Sequence, residues 1–317
     1  MHKEQNARPK LRILLLLSAC VLLPVSAMAQ TISISDIDDE YNNSTGTLNC
    51  TSAHQACSTS HDLDCWEWEY DTNANGGGET CTQSEWNTSI TKDGQSRELD
   101  LQWNTSYNTV GGGGARFHAS LGDSNLYPHN THFNYDTWVY FADLTHVTAA
   151  EFDLNQVLDT GSGNCNTTGD DCDTVVYGTQ CVIGGDWEVA SYDSSGNAHW
   201  NQTDQTCELN TSDNGQWEHL SITYSRDSDS NCSPGYCQVT YDTLSFNGTQ
   251  HNFTCNSGGP GSCKYSSSFT PSPHWCDFTN DNDAGCLITN FQIDWASSNA
   301  SGSITAYADE MIVTTTP

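Results

Sequence analysis

Two carboxylates stand two residues apart in Glu151-Phe152-Asp153-Leu154-Asn155. In an extended strand successive side chains point to opposite faces, so Glu151, Asp153 and Asn155 share one face while Phe152 and Leu154 enter the core. A face with two acids offers a nucleophile, a proton carrier or hydrogen bonds to a ligand, and the plainer reading is a hydrogen-bonded polar ladder. In Trp217-Glu218-His219-Leu220-Ser221-Ile222, Leu220 and Ile222 point inward, which turns Trp217 and His219 outward. If both strands lie in one sheet, its outer face combines carboxylates, amides and aromatics. Trp138, Trp187, Tyr192, Trp200 and Trp217 are the source of any aromatic platform, the kind that stacks on the apolar face of a pyranose ring. Burial is the default for any one of them. Trp187 and Trp200 are singled out because they lie within the span between Cys181 and Cys207. His199 and His219 read as local hydrogen-bonding residues, since no paired histidine spacing supports metal ligation.

Asp281-Asn282-Asp283-Ala284-Gly285 has the alternating oxygen donors and turn glycine of a calcium loop, with Asp281 and Asp283 as ligands; Asp170, Asp171 and Asp173 form a second cluster. Neither completes a twelve-residue loop with its terminal Glu, so a solvated turn is the plainer reading and calcium the one cofactor raised.

The elements that position these residues are exported ones. Lys3, Arg8, Lys10 and Arg12 precede an apolar run from Ile13 to Val25 and a small-x-small end at Ala27-Met28-Ala29, the pattern of a secretory signal over residues 1–29. Leu17-Ser18-Ala19-Cys20 also fits a lipoprotein box, but the apolar run continues past Cys20. No later stretch has the length of a membrane helix. Without residues 1–29 the chain carries five basic and thirty-nine acidic residues, a net charge of −34. Such a polyanion repels phosphate backbones and anionic lipids, which excludes nucleic acid and membrane surfaces as partners. Fourteen cysteines remain once Cys20 is removed, an even number that in an exported chain implies disulfides. Spacing does not dictate connectivity; sequential pairing is expected, as Cys50–Cys57, Cys65–Cys81, Cys165–Cys172, Cys181–Cys207, Cys232–Cys237, Cys255–Cys263 and Cys276–Cys286. Zinc is disfavoured because no Cys-x-x-Cys pair exists.

Period-two alternation recurs over residues 99–103, 115–121, 133–141, 150–158, 174–183, 187–192, 217–224, 238–246, 287–295 and 304–313. Ten or more strands, separated by Asn, Asp, Gly, Ser and Pro, predict an all-β chain built as a two-sheet antiparallel sandwich. The run Gly111 to Gly114 reads as a short connection between two strands. Residues 30–60 are expected to be an N-terminal extension and 61–317 one domain.

The order of Cys65-Trp66-Glu67-Trp68, Phe133 to Phe141, Glu151 to Gln156, Tyr177-Gly178-Thr179-Gln180-Cys181, Trp217-Glu218-His219-Leu220 and Tyr307-Ala308-Asp309-Glu310-Met311 resembles a largely uncharacterised group of exported microbial proteins with a concanavalin A-like (lectin/glucanase, laminin G-like) jelly roll. The resemblance spans about Trp66 to Thr314 and implies the jelly-roll fold. Carbohydrate is the commonest theme of that fold, by analogy. Its laminarinase-type members look like Glu-x-Asp-x-Glu or Glu-x-Asp-x-x-Glu, where a first carboxylate attacks the sugar and a last one serves as acid and base. This chain departs there, with Asn155 and Gln156 at the positions of the second acid, and an amide does not exchange a proton near neutral pH. For a lyase, Tyr177, Gln180, His219 and Arg116 are suitable residue types, but the Gln-x-His strand of alginate-type members is absent. The leading expectation is binding of neutral or weakly charged carbohydrate through Glu151, Asp153, Asn155, Gln180, Trp187, Trp200, Trp217 and His219. A hydrolase or lyase using Glu151 and Asp153 is the second, and a structural or surface-interaction protein the third.

Overall fold

The computed structural model of the chain describes residues 31–35, 37–39, 54–55, 65–70, 80–103, 110–120, 130–159, 172–192, 198–228, 237–255, 263–266, 268–269, 286–296 and 302–317. The expected leader, most of residues 30–60, the 281–285 loop, Asp170 and Asp171, and Cys50, Cys57, Cys165, Cys232 and Cys276 lie outside them.

The strands in chain order are β1 (Ile32–Ile34), β2 (His54–Gln55), β3 (Cys65–Tyr70), β4 (Thr80–Asn87), β5 (Ser96–Trp103), β6 (Val110–Ser120), β7 (His132–Phe141), β8 (Val147–Asp159), β9 (Cys172–Tyr177) and β10 (Thr179–Val182). There follow β11 (Asp186–Tyr192), β12 (Ala198–Thr206), β13 (Trp217–Arg226), β14 (Gln238–Phe246), β15 (Thr249–Asn252), β16 (Lys264–Ser266), β17 (Ser268–Phe269), β18 (Cys286–Ala296) and β19 (Gly302–Thr316). One sheet has nine strands, in the order β15-β14-β13-β7-β19-β5-β4, with β1 on β19 and β16 on β14. The other has ten, β12-β11-β10-β8-β18-β6-β3-β2, with β9 beside β8 and β17 beside β9. The chain is thus a two-sheet antiparallel sandwich. Among the described residues no helix is long and apolar enough to cross a membrane.

Alternation explains the layers. Along β7, Phe133, Tyr135, Val139 and Phe141 turn inward; along β8, Phe152 and Leu154 meet them from the opposite sheet. The core is aromatic: Phe291 stacks on Phe152 with centroids 5.7 Å apart and meets Phe141 edge-on at 6.3 Å, while Trp103 stacks on Trp295 at 6.0 Å. Offset and edge-on rings of this kind add to what area burial alone contributes.

Three polar side chains of the nine-stranded sheet reach across that core and fasten strands of the other sheet. Arg226 Nε donates to Gln156 Oε1 at 2.9 Å, and Tyr177 OH donates to the same oxygen at 3.1 Å. Tyr224 OH donates to Phe152 O at 3.4 Å, and Tyr241 OH to Ala190 O at 2.8 Å. Burial pushes the Tyr224 hydroxyl well above the usual tyrosine range, so it stays a neutral donor.

Two disulfides match the sequential expectation, Cys181–Cys207 and Cys255–Cys263, and Cys237 is also disulfide-bonded. Two strand expectations are corrected. Residues 174–183 form two strands rather than one, separated at Gly178, and both pair with β8, β10 over residues 149–151 and β9 over 154–159. Gly111 to Gly114 are not a connection but part of the first half of β6, paired with β18 on one side and, at Gly113 and Gly114, with β3 on the other. A glycine run lacks the alternation that marks a strand, and here its side-chain space is taken by β18. A Cβ on Gly112 would lie 2.4 Å from Asp294 Oδ1, and one on Gly114 2.9 Å from Phe291 O.

Candidate functional site

The outer face of the ten-stranded sheet is organised in rungs that cross the strands. In the first, Gln202 on β12 faces Glu188 on β11, which faces Gln180 on β10, which faces Glu151 on β8, which faces Gln292 on β18, which faces Gly114 on β6. Amide and carboxylate alternate over five strands, roughly 19 Å at the usual interstrand spacing, and beyond Gly114 the rung continues to Glu69 on β3. The second rung is Trp200, Ala190, Gly178, Asp153 and Asn290. Trp200 pairs with Ala190, the Ala190 amide donates to Gly178 O, and Asp153 pairs with Asn290. The two small residues leave a gap that the indole enters: a Cβ on Gly178 would lie 2.7 Å from Ala190 Cβ, 3.3 Å from Asp153 Oδ1 and 3.4 Å from Trp200 Cη2. Trp200 is 37% exposed, one of two large hydrophobics so open among the described residues. Asn155 begins a third rung, between Val176 and Ile288.

Hydrogen bonds fix what this face presents. Gln180 Nε2 donates to Glu188 Oε2 at 2.5 Å, Gln202 Nε2 to Asp186 Oδ2 at 2.7 Å, Gln292 Nε2 to Asp294 Oδ1 at 3.2 Å, and Asn290 Nδ2 to Asp153 Oδ2 at 3.3 Å. The Thr179 backbone amide holds the other Asp153 oxygen at 3.1 Å. Asn155 and Asn290 are 2% and 4% exposed, yet Oδ1 of each accepts no hydrogen bond. A buried acceptor left without a donor costs about 1–3 kcal/mol.

The expected site residues divide among three environments. Glu151, Asp153, Asn155, Gln180 and Trp200 come together on this face. Trp187 does not: it is fully buried against Phe152, and its Nε1 donates to Glu208 Oε2 at 3.2 Å. It shares the inward parity of Val189, so the expectation that its ring meets a ligand is corrected. Trp217 and His219 lie apart from this group. They point outward as expected, but β13 belongs to the nine-stranded sheet, on the far side of the molecule. There His219 Nε2 lies 2.9 Å from Asp136 Oδ1 and its ring 4.7 Å from Trp138, while Trp217 packs on Tyr140 at 5.4 Å. Gln156 points into the core, because β8 runs without a bulge past Asn155; any acid there would face Arg226 rather than the outer face.

Reading β8 alone missed Glu188, Gln202, Asn290, Gln292 and Asp294. The signal in Asn290-Phe291-Gln292-Ile293-Asp294-Trp295 is plain alternation, but adjacency of β18 to β8 is a long-range pairing.

For a metal, Asp38, Asp93 and Asp309 bring carboxylate oxygens within 4.8 Å of one another at the nine-stranded sheet. Donors already hold the strand end of this cluster: Thr91 Oγ1 and the Lys92 amide donate to Asp309 Oδ2, the Glu310 amide to Asp309 Oδ1, and the Met311 amide to Asp38 Oδ1. Burial, with the Asp93 charge adding to it, raises the Asp309 pKa. The arrangement ties the N-terminal segment to β19.

No protein-family model matches the chain, and no curated protein matches it. Among solved structures, alginate lyase vAL-1 from Chlorella virus is similar at 11% identity and a TM-score of 0.38, over 78% of this chain and 93% of that one. Alginate lyase Aly36B is similar at 13% identity and a TM-score of 0.34, over 73% and 86%. A carbohydrate esterase from a Shiga toxin-encoding bacteriophage is similar at 10% identity and a TM-score of 0.34, over 78% and 96%. Superpositions this loose transfer neither a substrate nor a residue role.

Proposed function

We propose that the chain is an exported carbohydrate-binding protein that holds a glycan on the outer face of its ten-stranded sheet. The observation that carries this reading is the pair of adjacent rungs. A polar row about five strands long, buried at Glu151 and Gln180, lies beside an exposed indole, and two buried amide oxygens lacking donors stand in the indole's rung and in the next. Sugar hydroxyls supply donors, and the apolar face of a pyranose ring suits Trp200. Residues 1–29 would direct export, and the disulfides suit an oxidising compartment.

Turnover is the second reading, and one observation favours it: Glu188 stands two strands from Glu151 on the same rung, a carboxylate reaching in from another strand. Inverting glycosidases hold two carboxyl groups roughly 6.5–9.5 Å apart around a water. Incubation with soluble and insoluble polysaccharides, scoring retention and released product together, tests both. Binding predicts retention without product, lost in Trp200→Ala and Gln180→Ala proteins that keep the parent's stability. Product that disappears in Glu151→Gln would replace it with the hydrolase reading. No retention on any glycan would sink both.

A further inference from the structure

We propose that the exported chain carries a covalent modification at its new N-terminus: Gln30 cyclises to pyroglutamate, a lactam that removes the α-amine and guards the strand that follows. This rests on the export reading of residues 1–29 and is independent of what either sheet binds.

The chemistry comes from the order of residues. Cleavage after the small-x-small end Ala27-Met28-Ala29 leaves Gln30 with a free α-amine. In a terminal glutamine that nitrogen, Cα, Cβ, Cγ and the amide carbon Cδ are the atoms of a five-membered ring. Near neutral pH part of the terminal amine is uncharged and nucleophilic. It attacks Cδ, the new N–Cδ bond forms as the Cδ–Nε2 bond breaks, and the side-chain nitrogen leaves as ammonia, taking the proton that the amine gives up. The step needs no oxidant and no second substrate, and the loss of ammonia to bulk water carries it forward.

The fold gives the modification its consequence. Thr31 is exposed, and the next residue, Ile32, already pairs with Thr315 of β19. β1 is only three residues long, and Ile32 and Ile34 pack against the core. Beyond it, Ile37 O accepts from Trp66 Nε1 at 2.8 Å, Asp38 O from Arg97 Nη2 at 3.1 Å, and Asp38 Oδ1 from the Met311 amide at 2.8 Å. The segment therefore ties β3 of one sheet to β5 and β19 of the other. Chain ends are where proteolysis concentrates. An aminopeptidase acting on an open terminus would remove Gln30 and Thr31 and then reach Ile32, where it begins to strip this tie. A lactam offers such an enzyme no α-amine, so trimming does not start.

The test is mass spectrometry of the intact chain and its N-terminal peptide, on protein recovered after export by its own cell, before and after incubation at neutral pH. The peptide is expected to begin at residue 30 and to be lighter than the open form by one ammonia, with any open fraction shrinking during incubation. The chain is expected to resist aminopeptidase until pyroglutamyl aminopeptidase is added. Gln30→Ser has no amide with which to close a ring; it is expected to lose residues 30 and 31 to aminopeptidase, then residues of β1, with a fall in melting temperature. Should that variant not be exported, the parent chain opened with pyroglutamyl aminopeptidase, which then starts at Thr31, serves for the same comparison.

A chain that starts at residue 30 and keeps an open amine throughout overturns the inference and leaves the export reading standing. A start at any other residue that lacks the leader, Cys20 included, does the same. Equal loss of residues from the parent and from Gln30→Ser under aminopeptidase overturns the guarding role. A mature protein that retains residues 1–29 overturns both the inference and the export reading.

Discussion

The two outer faces of the sandwich are built by the same alternation and end in different states. On the nine-stranded sheet polar side chains satisfy one another: Ser221 Oγ donates to Asn134 Oδ1 at 3.0 Å, Thr223 and Thr243 hydroxyls lie 2.6 Å apart, Thr305 Oγ1 donates to Asp100 Oδ1 at 2.7 Å, and His219 sits on Asp136. Lys92 Nζ lies 3.4 Å from the centroid of the Trp138 ring, while Trp86 on β4, at the edge of the same sheet, is 40% exposed. On the ten-stranded sheet the donors are drawn into carboxylates, two buried oxygens receive none, and Trp200 stays open. A polar face that closes its own hydrogen bonds needs only water as a neighbour. One that leaves buried acceptors open retains an unfavourable term.

The largest expected effect separates core from face. Trp187→Ala should lower stability by about 3–5 kcal/mol in chemical denaturation, the usual range for emptying an aromatic core site. Trp200→Ala should stay within about 1 kcal/mol of the parent while glycan retention falls. If the two variants lose stability equally, the separation drawn here between their environments fails. Next in size, Gly178→Val fills the gap between Trp200 and Asp153. It should cost about 1–3 kcal/mol of stability through overpacking and abolish retention by the folded fraction, so persistent binding would move the ligand elsewhere. His219→Ala, on the self-satisfied face, should leave retention unchanged in the same assay; lost retention would break the contrast between the faces.

The smallest effect concerns the connection between the sheets. Asp143, between β7 and β8, accepts from the side chain and amide of Thr145, which holds its pKa below the usual carboxylate value. A depressed carboxyl contributes stability above its unfolded pKa and loses it as pH falls through the folded one. Asp143→Ala should therefore melt slightly below the parent near neutral pH, and the two melting curves should converge on acidification. A gap that persists below the carboxylate range would assign the effect to packing.

Much of this was legible in the sequence. Parity alone placed Glu151, Asp153 and Asn155 together, and Phe152 and Leu154 inside. Parity also carries the answer for Trp187, since Glu188 and Ala190 alternate with it, whereas a place between Cys181 and Cys207 does not set the direction of a side chain. What periodicity cannot carry is which strands lie side by side: β8 and β13 show the same pattern in opposite sheets, and β18 slots between β8 and β6 from more than a hundred residues away. Gly111 to Gly114 were misread because a strand whose side-chain volume is supplied by its neighbour has no pattern of its own.

The Cys181–Cys207 bridge bears on how the face comes apart. It closes residues 181–207 of the β10-β11-β12 meander, which carry Glu188, Ala190, Trp200 and Gln202, into a covalent loop, and a loop of this length restricts the unfolded chain by about 3–4 kcal/mol. Glu151, Asp153, Asn290 and Gln292 lie outside the loop. A single protease cut within it would leave the two pieces tethered, migrating as one chain until a thiol is added. In the uncut chain reduction would leave the meander attached to β8 through the β8-β10 pairing and the continuous backbone.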